Sequence, residues 1–229
     1  MAKQSFLRVS IWLSTLPFFF TAWICHKWNI LNVGNDLLLC RSILAKHARK
    51  DISDDLYNVL RLAEDHRNAL HFGVDTVAIC RAMWRNVTRN SFEGASTIEQ
   101  QFVRSCTGQN ERTLKRKFRE QMVAVKLNRI ASKREISTAF ILTAHYGDLH
   151  QGPLRILHNF DRLPSNATLF ESTHLVARIK FPEPSPTGAA WANRFETRVR
   201  FLLRLSMAYS RGHRAQKNEP FQTSYLSNQ

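Results

Sequence analysis

The sequence predicts a mainly α-helical protein whose first helix is apolar enough to enter a membrane. Apolar residues recur at helical spacing along almost the whole chain, and no run of more than five residues alternates with a period of two. An uncharged stretch, rich in Phe, Leu, Ile and Trp, covers residues 9–25. The 229 residues, 44% of them hydrophobic, suffice for one domain with an appendage and exclude a disordered chain or a fibre.

Residues 1–30 are expected to form an uncleaved membrane anchor. As a helix, the uncharged stretch reaches about 25 Å, the low end for a bilayer span. Trp12, Trp23 and Trp28 suit the interfaces of a bilayer. The alternatives are a cleaved signal peptide, which lacks a small-x-small cleavage site here, and a buried soluble helix. Basic residues on both flanks favour only slightly a cytoplasmic N-terminus with the main domain outside.

The rest of the apolar pattern predicts one helical domain over residues 31–209. Prolines 182, 184 and 186 break the chain before its last helix. From residue 210 the helical period is lost, so residues 210–229 are expected to form a polar, mobile tail. The predicted helices cover residues 36–49, 54–63, 75–88, 97–106, 111–131, 132–146, 168–180 and 189–209.

The excess of basic residues indicates an anionic partner. Lys and Arg number 33 and Asp and Glu 18, which gives a formal charge of +15. That charge suits a phosphate-bearing substrate, an acidic membrane surface or nucleic acid. No nucleic-acid-binding motif surrounds the basic residues, and a membrane anchor counts further against nucleic acid as the partner.

The four cysteines, at positions 25, 40, 80 and 106, are spaced too widely for a zinc knuckle or a Cys-x-x-Cys pair. Their spacing leaves open whether Cys40, Cys80 and Cys106 are buried thiols or include one bridge.

Two segments carry candidate catalytic or anion-binding residues. Glu64 and Asp65 follow an apolar helix, where a carboxylate could act as a general acid or base, or simply form a solvated charge pair. Ser96 or Thr97 begins the next predicted helix, whose free N–H groups could bind an anion or a sugar, or form an ordinary cap.

A third segment, residues 104–120, is rich in positive charge, with six Lys and Arg residues. On a helix, Arg112, Arg116 and Glu120 would form one stripe opposite the apolar face. Arginines in such a row suit phosphate oxygens, and a solvated helix face is the alternative.

In order and spacing, these segments resemble the first three motifs of the peptidoglycan glycosyltransferases, the family 51 glycosyltransferases. The first motif is matched by Glu64-Asp65-x-Arg67-x₃-His71-x-Gly73-Val74-Asp75. The second is matched by Gly94-Ala95-Ser96-Thr97-Ile98-x-Gln100-Gln101, and the third by Arg116-Lys117-x-x-Glu120. The resemblance covers residues 58–135. The chain further resembles the monofunctional members, because it lacks the Ser-x-x-Lys and Lys-Thr-Gly motifs of a penicillin-binding transpeptidase domain.

The resemblance implies a lysozyme-like helical domain that polymerises lipid II into glycan strands, with inversion at the donor's anomeric carbon. It implies that Glu64 is the general base and that Glu120 orients the nearby cations or assists at the donor phosphate. Asp65 is expected to support Glu64 rather than react. The residues implied at the substrate are Asp65, Ser96, Thr97, Gln100, Gln101, Arg104, Arg112, Arg116 and Lys117.

The implied partners are lipid II, the growing glycan strand, the membrane and other cell-wall synthesis proteins. The implied location is the bacterial inner membrane, with a single pass, a cytoplasmic N-terminus and the catalytic domain on the periplasmic or outer face. No cofactor is expected to be required, and a divalent cation (Mg²⁺ or Mn²⁺) at the pyrophosphate is left open. The apolar stretch 77–84 is expected either to dip into the membrane or to be a core helix.

The sequence departs from the family pattern at several positions. Asn68 replaces an aromatic residue, Arg104 replaces a lysine, and Glu99 replaces a threonine, which is expected to add negative charge beside the anion site. The fourth motif survives only as Lys133, Ile136 and Phe140. Two alternatives therefore stand beside the polymerase: a non-catalytic protein that binds lipid-linked precursor or a cell-wall partner, and a lysozyme-like peptidoglycan-cleaving enzyme, against which the basic segment counts.

Overall fold

The computed structural model describes residues 2–89, 94–148, 153 and 164–217, and most of them lie in helices. Within these ranges there is no β-strand, and a single parallel bridge joins Gly147 to Glu183. The prediction of a mainly α-helical protein is therefore confirmed. The helices are α1 (Ala2–Lys27), α2 (Val33–His47), α3 (Asp54–Glu64), α4 (Thr76–Arg89), α5 (Ile98–Thr107), α6 (Leu114–Leu127), α7 (Lys133–Thr143), α8 (Leu169–Lys180) and α9 (Ala189–Lys217).

Hydroxyl side chains fix where most of these helices begin. In each case the side-chain oxygen accepts a hydrogen bond from the backbone N–H three residues later, which satisfies a donor that the helix cannot. The N-capping residues are Ser53, Thr97, Thr113, Ser132 and Thr168.

Several helix bounds differ from those that the apolar pattern predicts: α2 begins at Val33 rather than residue 36, α6 ends at Leu127 rather than residue 131, and α7 ends at Thr143 rather than residue 146. Two further differences change the interpretation. Thr113 caps α6, so Arg112 lies before the helix and the predicted stripe is reduced to Arg116 and Glu120. The last helix runs on to Lys217, into the segment predicted as a mobile tail. Arg, Ala, Gln and Lys are good helix formers, so the helix continues there without an apolar face. Residues 218–229 lie outside the described residues.

Helix α5 lies at the centre of the domain and packs against α2, α6 and α7. Its buried face carries Ile98, Phe102 and Val103, which join the main hydrophobic core. Helix α3 packs on α8 and α9 to one side. The residues that follow α3 and those on α5 are thereby held on a rigid interior scaffold.

Helix α1 packs along the domain, against α6, α2 and α4. Ile11, Ala22 and Cys25 are buried in these contacts. Among the described residues, α1 is the helix that is long and apolar enough to cross a membrane, over Val9–Lys27. Its other face is exposed and bears Val9, Trp12, Leu13, Leu16, Phe20 and Trp23.

Helix α4 also presents a large apolar face to the outside. Met83, Trp84 and Val87 are 64%, 71% and 86% exposed, whereas only the small Ala78 and Ala82 are buried. The stretch is therefore not a core helix throughout, because Met83 and Trp84 point away from the domain, whereas Ile79 packs against the core. A hydrogen bond of 2.6 Å between the hydroxyls of Ser14 and Thr76 ties α4 to α1.

Gly73, in the turn before α4, permits a close approach to α6. Its φ is +90°, and a Cβ there would lie 2.5 Å from the carbonyl oxygen of Ala124. The Gly73 carbonyl in turn accepts hydrogen bonds from Thr97 Oγ1 at 2.8 Å and Gln100 Nε2 at 3.3 Å. A glycine here lets the turn after α3 connect the start of α5 to the middle of α6.

Candidate active site

Glu64 is the last residue of α3, and both oxygens of its carboxylate are held by side chains from other helices. Oε2 accepts a hydrogen bond from Gln101 Nε2 of α5 at 3.2 Å. Oε1 accepts one from Arg198 Nη2 of α9 at 3.1 Å. The side chain keeps 12% of its surface exposed, so the carboxylate is oriented by the protein and still reaches solvent.

Asp65 turns the other way and is buried at the start of α5. Its Oδ2 accepts hydrogen bonds from the backbone N–H of Ile98 at 3.2 Å and from His71 Nε2 at 2.9 Å. Burial opposes ionisation of this carboxyl, but the hydrogen bonds from His71 and Asn68 outweigh it and hold the pKa of Asp65 below its usual range. Asp65 therefore supplies the negative charge that the N-terminus of α5 attracts. This side chain thus holds the start of α5 in place through Ile98 and His71.

Glu99 joins Asp65 and His71 in a buried polar network instead of facing the anion site. Its Oε1 accepts a hydrogen bond from Lys133 Nζ of α7. The same Nζ lies 3.4 Å from His71 Nδ1, so Nδ1 is the acceptor and Nε2 donates to Asp65. The expectation that Glu99 adds negative charge beside the anion site is thus wrong, because Lys133 neutralises a carboxylate that is only 1% exposed.

Asp65, His71 and Glu99 also bring potential metal-ligand atoms within 4.8 Å of one another. The Lys133 ammonium already contacts two of the three residues, so a cation is present among them as part of the chain. The donor set fits an internal ion pair better than a divalent ion, whose charge would be repelled by Lys133.

Three basic residues of α5 and α6 gather around Glu120, which is buried. Arg104 holds this carboxylate with two hydrogen bonds, Nε to Oε1 at 2.9 Å and Nη2 to Oε2 at 3.2 Å. Arg116 Nη1 also donates to Oε1, and Lys117 Nζ lies 3.8 Å from Oε2. We call Arg104, Arg116 and Lys117, with Glu120, the basic cluster. Three cations share one carboxylate, so the basic cluster has an excess of two positive charges.

Lys117 has the most perturbed protonation of the basic cluster. Its Nζ donates hydrogen bonds to Ser96 Oγ at 2.8 Å and to Gln100 Oε1 at 2.5 Å. Burial lowers its pKa to about 8; Glu120 opposes that shift, and the charges of Arg104 and Arg116 add to it. A lysine with this pKa is mostly charged at neutral pH and loses its proton as the pH rises through about 8.

The structure brings most of the predicted site residues together, but not all in the same role. Glu64 and Gln101 form one contact, and Ser96 joins the basic cluster through Lys117. Thr97 and Gln100 are buried and bind Gly73, so their side chains support the loop rather than line an open cleft. The loop before α6 carries Arg112, which is exposed.

Arg198 is the residue at Glu64 that the sequence did not single out. Its Nη2 donates both to Glu64 Oε1 and, at 3.2 Å, to the carbonyl of Ala63. It lies on α9 beside the buried positions Phe195, Val199 and Leu202. Several other basic residues of α9 look alike in sequence, so only the packing of α9 on α3 distinguishes this one.

One face of α5 joins Glu64 to the basic cluster. Gln101, which contacts Glu64, and Arg104, which contacts Glu120, are three residues apart and so share that face. Both also line a pocket of about 330 Å³ that continues past Thr143 and His145 towards Pro182. A larger cavity of about 520 Å³ lies between the end of α2 and the start of α7, and neither it nor the smaller pocket is lined by Glu64 or Glu120.

Comparison with known proteins gives a family match. The transglycosylase family model matches residues 43–206, which is more than half of the chain. Penicillin-binding protein 1A of Streptococcus pneumoniae is 33% identical over 113 residues, covering 48% of this chain and 16% of that protein. The corresponding protein of Neisseria lactamica is 34% identical over 136 residues, covering 58% and 17%. A monofunctional glycosyltransferase of Staphylococcus epidermidis is 35% identical over 85 residues, covering 37% and 32%.

The chain thus spans about a third or less of the length of each of these relatives. The family match, however, includes Glu64, the whole of α5 and the basic cluster. The chain therefore belongs to the transglycosylase family, the family 51 glycosyltransferases whose motifs its sequence resembles.

Proposed function

We propose that this protein is a membrane-anchored peptidoglycan glycosyltransferase that polymerises lipid II into glycan strands, with inversion at the donor's anomeric carbon. The observation that carries the proposal is the placement of an oriented carboxylate and an excess of positive charge along one face of α5. Glu64 stands at one end of that face, through Gln101, and the basic cluster stands one helical turn away, through Arg104.

In this proposal Glu64 is the general base. It takes the proton of the acceptor's 4-hydroxyl as that oxygen attacks the anomeric carbon of the donor. The bond from the anomeric carbon to the pyrophosphate breaks, and the pyrophosphate leaves with the electron pair. Gln101 and Arg198 hold one oxygen each of the carboxylate, which fixes the direction in which Glu64 accepts the proton.

The basic cluster receives the leaving pyrophosphate. The side chains of Arg104 and Lys117 are 34% and 28% exposed, so a ligand can reach them. Their contacts with Glu120 hold both cations near each other before a ligand binds. Arg112, exposed on the loop before α6, is close along the chain and adds a further cation. Preorganised positive charge of this kind stabilises the charge that develops on the leaving group. We propose that these side chains make a resident metal ion unnecessary.

The apolar faces of α1 and α4 support attachment to a membrane. Trp23 and Trp28 lie in contact near the end of α1, and Lys27 Nζ is 5.2 Å and 5.4 Å from the centres of their rings. Aromatic rings beside a lysine suit the bilayer interface. We propose a single pass through the bacterial inner membrane, a cytoplasmic N-terminus and a catalytic domain on the outer face, where other cell-wall synthesis proteins are its partners.

The decisive experiment is polymerisation of labelled lipid II by the detergent-solubilised full chain and by Glu64→Gln. We expect a ladder of glycan strands from the wild type, with or without EDTA, and at least a hundredfold loss in the variant, the range for removal of a general base. Glu196→Gln is the matched control, because Glu196 is exposed on α9 and pairs only with Arg200 among the described residues.

Each other outcome identifies an alternative. Binding of lipid II without a ladder would favour the non-catalytic protein. Release of soluble fragments from purified sacculi would favour the peptidoglycan-cleaving enzyme. A ladder lost on addition of EDTA would show that a divalent cation acts at the pyrophosphate.

A further inference from the structure

We propose that the cavity between the end of α2 and the start of α7 is a second anion-binding site, which takes a phosphate ester through Arg41, Arg49 and Lys50. Its volume of about 520 Å³ lies within the range of small-molecule sites in proteins. The cavity is lined by neither Glu64 nor Glu120, so this inference goes beyond the proposed glycosyltransferase function and does not depend on it.

The cavity is separated from the proposed active site by the length of α3. Asp51 lines the cavity and lies just before the start of α3, whereas Glu64 is the last residue of that helix. A helix of 11 residues is about 16 Å long. A ligand in the cavity and a sugar at Glu64 therefore occupy different sites.

Three cations in the wall of the cavity form no ion pair among the described residues. Arg41 lies on α2, and Arg49 and Lys50 follow the end of that helix; all three are exposed. Arg134, a fourth cation in the wall, differs from them because Asp51 and Asp54 bind it, at 3.0 Å and 2.7 Å. Arginine and lysine without a partner supply the donors that phosphate oxygens accept in charge-assisted hydrogen bonds.

The acidic residues of the wall are already bound within the protein. The hydrogen bond from Arg134 holds the pKa of the Asp51 carboxyl below its usual range. Glu135 accepts a hydrogen bond from the backbone N–H of Ser132 in the capping box that begins α7. Four cations thus share the wall with two carboxylates, which leaves an excess of two positive charges for a ligand.

The rest of the wall suits a ligand with an organic part. Leu44 and Ile130 supply apolar surface, and Thr138, which is 3% exposed, adds a side chain that bears a hydroxyl. His47 also lines the cavity, and its Nδ1 is buried without a hydrogen-bond partner among the described residues. Buried polar atoms normally have a partner, so this nitrogen is an independent sign of an occupant.

The test follows the His47 ring by NMR in the full-length chain, solubilised in a neutral detergent and labelled with carbon-13 at histidine Cε1. The chain has nine histidines, and His47→Gln assigns the signal of this one. Burial and the charges of Lys50 and Lys46 lower the pKa of His47, so the ring is neutral at about pH 8. We expect glycerol 3-phosphate to shift the His47 signal saturably and to leave the signal of His71, in its buried network, unchanged.

Two double variants show whether the shift comes from the cavity. Arg41→Gln with Arg49→Gln should weaken binding of glycerol 3-phosphate at His47 by about tenfold, because it removes two charged donors. Lys180→Gln with Arg204→Gln is the matched control: it removes the same charge from exposed positions of α8 and α9 and should leave the affinity unchanged.

The same spectra distinguish two sources of the phosphate ester. A saturable shift with glycerol 3-phosphate supports a soluble ester as the occupant. A shift that occurs only in phosphatidylcholine bicelles containing phosphatidylglycerol supports a lipid headgroup. The proposal is overturned if neither probe shifts the His47 signal, or if the two double variants bind equally well. None of these measurements involves glycosyl transfer, so failure here is distinguishable from failure of the test of Glu64.

Discussion

The surroundings of Lys117 have opposite effects on the pKa of its ammonium group. Burial and the neighbouring arginines favour the neutral amine, and Glu120 favours the ammonium. Near pH 7 the ammonium form dominates, and its hydrogen bonds to Ser96 and Gln100 aim it. Above a pH of about 8 the neutral form dominates, and the basic cluster has one positive charge fewer.

We therefore predict that kcat/KM for lipid II falls as the pH rises through about 8, and is about tenfold lower at pH 9 than at pH 7. Because arginine keeps its charge, Lys117→Arg should not show that fall, even if its overall rate is lower. The measurement is a pH profile between about pH 6.5 and 9.5, with Lys115→Arg, at an exposed neighbour, as control. A fall of the same size in Lys117→Arg would disprove the assignment.

At the level of single residues, motif order selected Glu64, Arg104, Lys117 and Glu120, and in the structure Gln101 and Arg104 of α5 contact Glu64 and Glu120 respectively. It was not enough to place Glu99. A carboxylate in a helix-start motif predicts negative charge at the surface, and only the fold shows that Lys133, from a different helix, meets it in the interior. Arg198 could not be selected for the same reason, since its contact with Glu64 crosses from α9 to α3.

Among the elements, α5 depends on a buried polar network at its N-terminus. Asp65 binds the first N–H of the helix, His71 binds Asp65, and the Lys133–Glu99 pair packs against His71. Removing one partner of a buried ion pair leaves the other charged and unsolvated, which costs more than the pair itself contributes.

Lys133→Ala is accordingly expected to lower the free energy of unfolding by about 3 kcal/mol, because Glu99 then loses its counter-charge. Adding Glu99→Gln to Lys133→Ala should recover part of that loss. The check is urea unfolding of the four proteins of this double-mutant cycle, followed by circular dichroism. Lys180→Ala, at an exposed lysine of α8, serves as control and should change stability by less than about 0.5 kcal/mol. Equal stability of the single and double variants would contradict the argument.

Apolar period and capping residues predicted the order of the helices, with most ends within a few residues. The start of α6 was predicted too early because Glu111 and Arg112 are good helix formers, whereas the helix begins after Thr113, whose hydroxyl accepts a hydrogen bond from the N–H of Arg116. The end of α9 was missed for the opposite reason. Its last turns have no apolar face, so periodicity gives no signal, yet the chain stays helical to Lys217.

On the scale of the molecule, α1 and α4 together give the protein an apolar side. The hydroxyls of Ser14 and Thr76 join the two helices, and large exposed side chains continue from one to the other. The sequence could not separate a membrane helix from a core helix here, because one face of α1 is buried against the domain and the other is exposed and apolar. Ala22 and Cys25 face the domain, while Phe20 and Trp23 face away from it.

If this side meets the bilayer, Trp84→Ser with Val87→Ser should lower kcat/KM about tenfold for lipid II in vesicles, by removing two apolar side chains that the bilayer would cover. The same pair should have little effect on a short-chain substrate in solution, and little effect on stability, since both side chains are exposed. Met207→Ser changes a large exposed side chain on α9 and is the matched control. Similar losses with both substrates would argue against a membrane role for α4.

The burial of one face of α1 also bears on how the protein can be prepared. Truncation before residue 31, a common way to make a soluble form of an anchored enzyme, would strip Ala22 and Cys25 from the core that they share with α2 and α6. The fragment would expose a new apolar surface on α2 and α6, the helices against which α1 packs. For this chain, detergent should be used to solubilise the protein with α1 intact. Removing α1 would expose the apolar surface that α1 covers, in addition to the exposed face of α4.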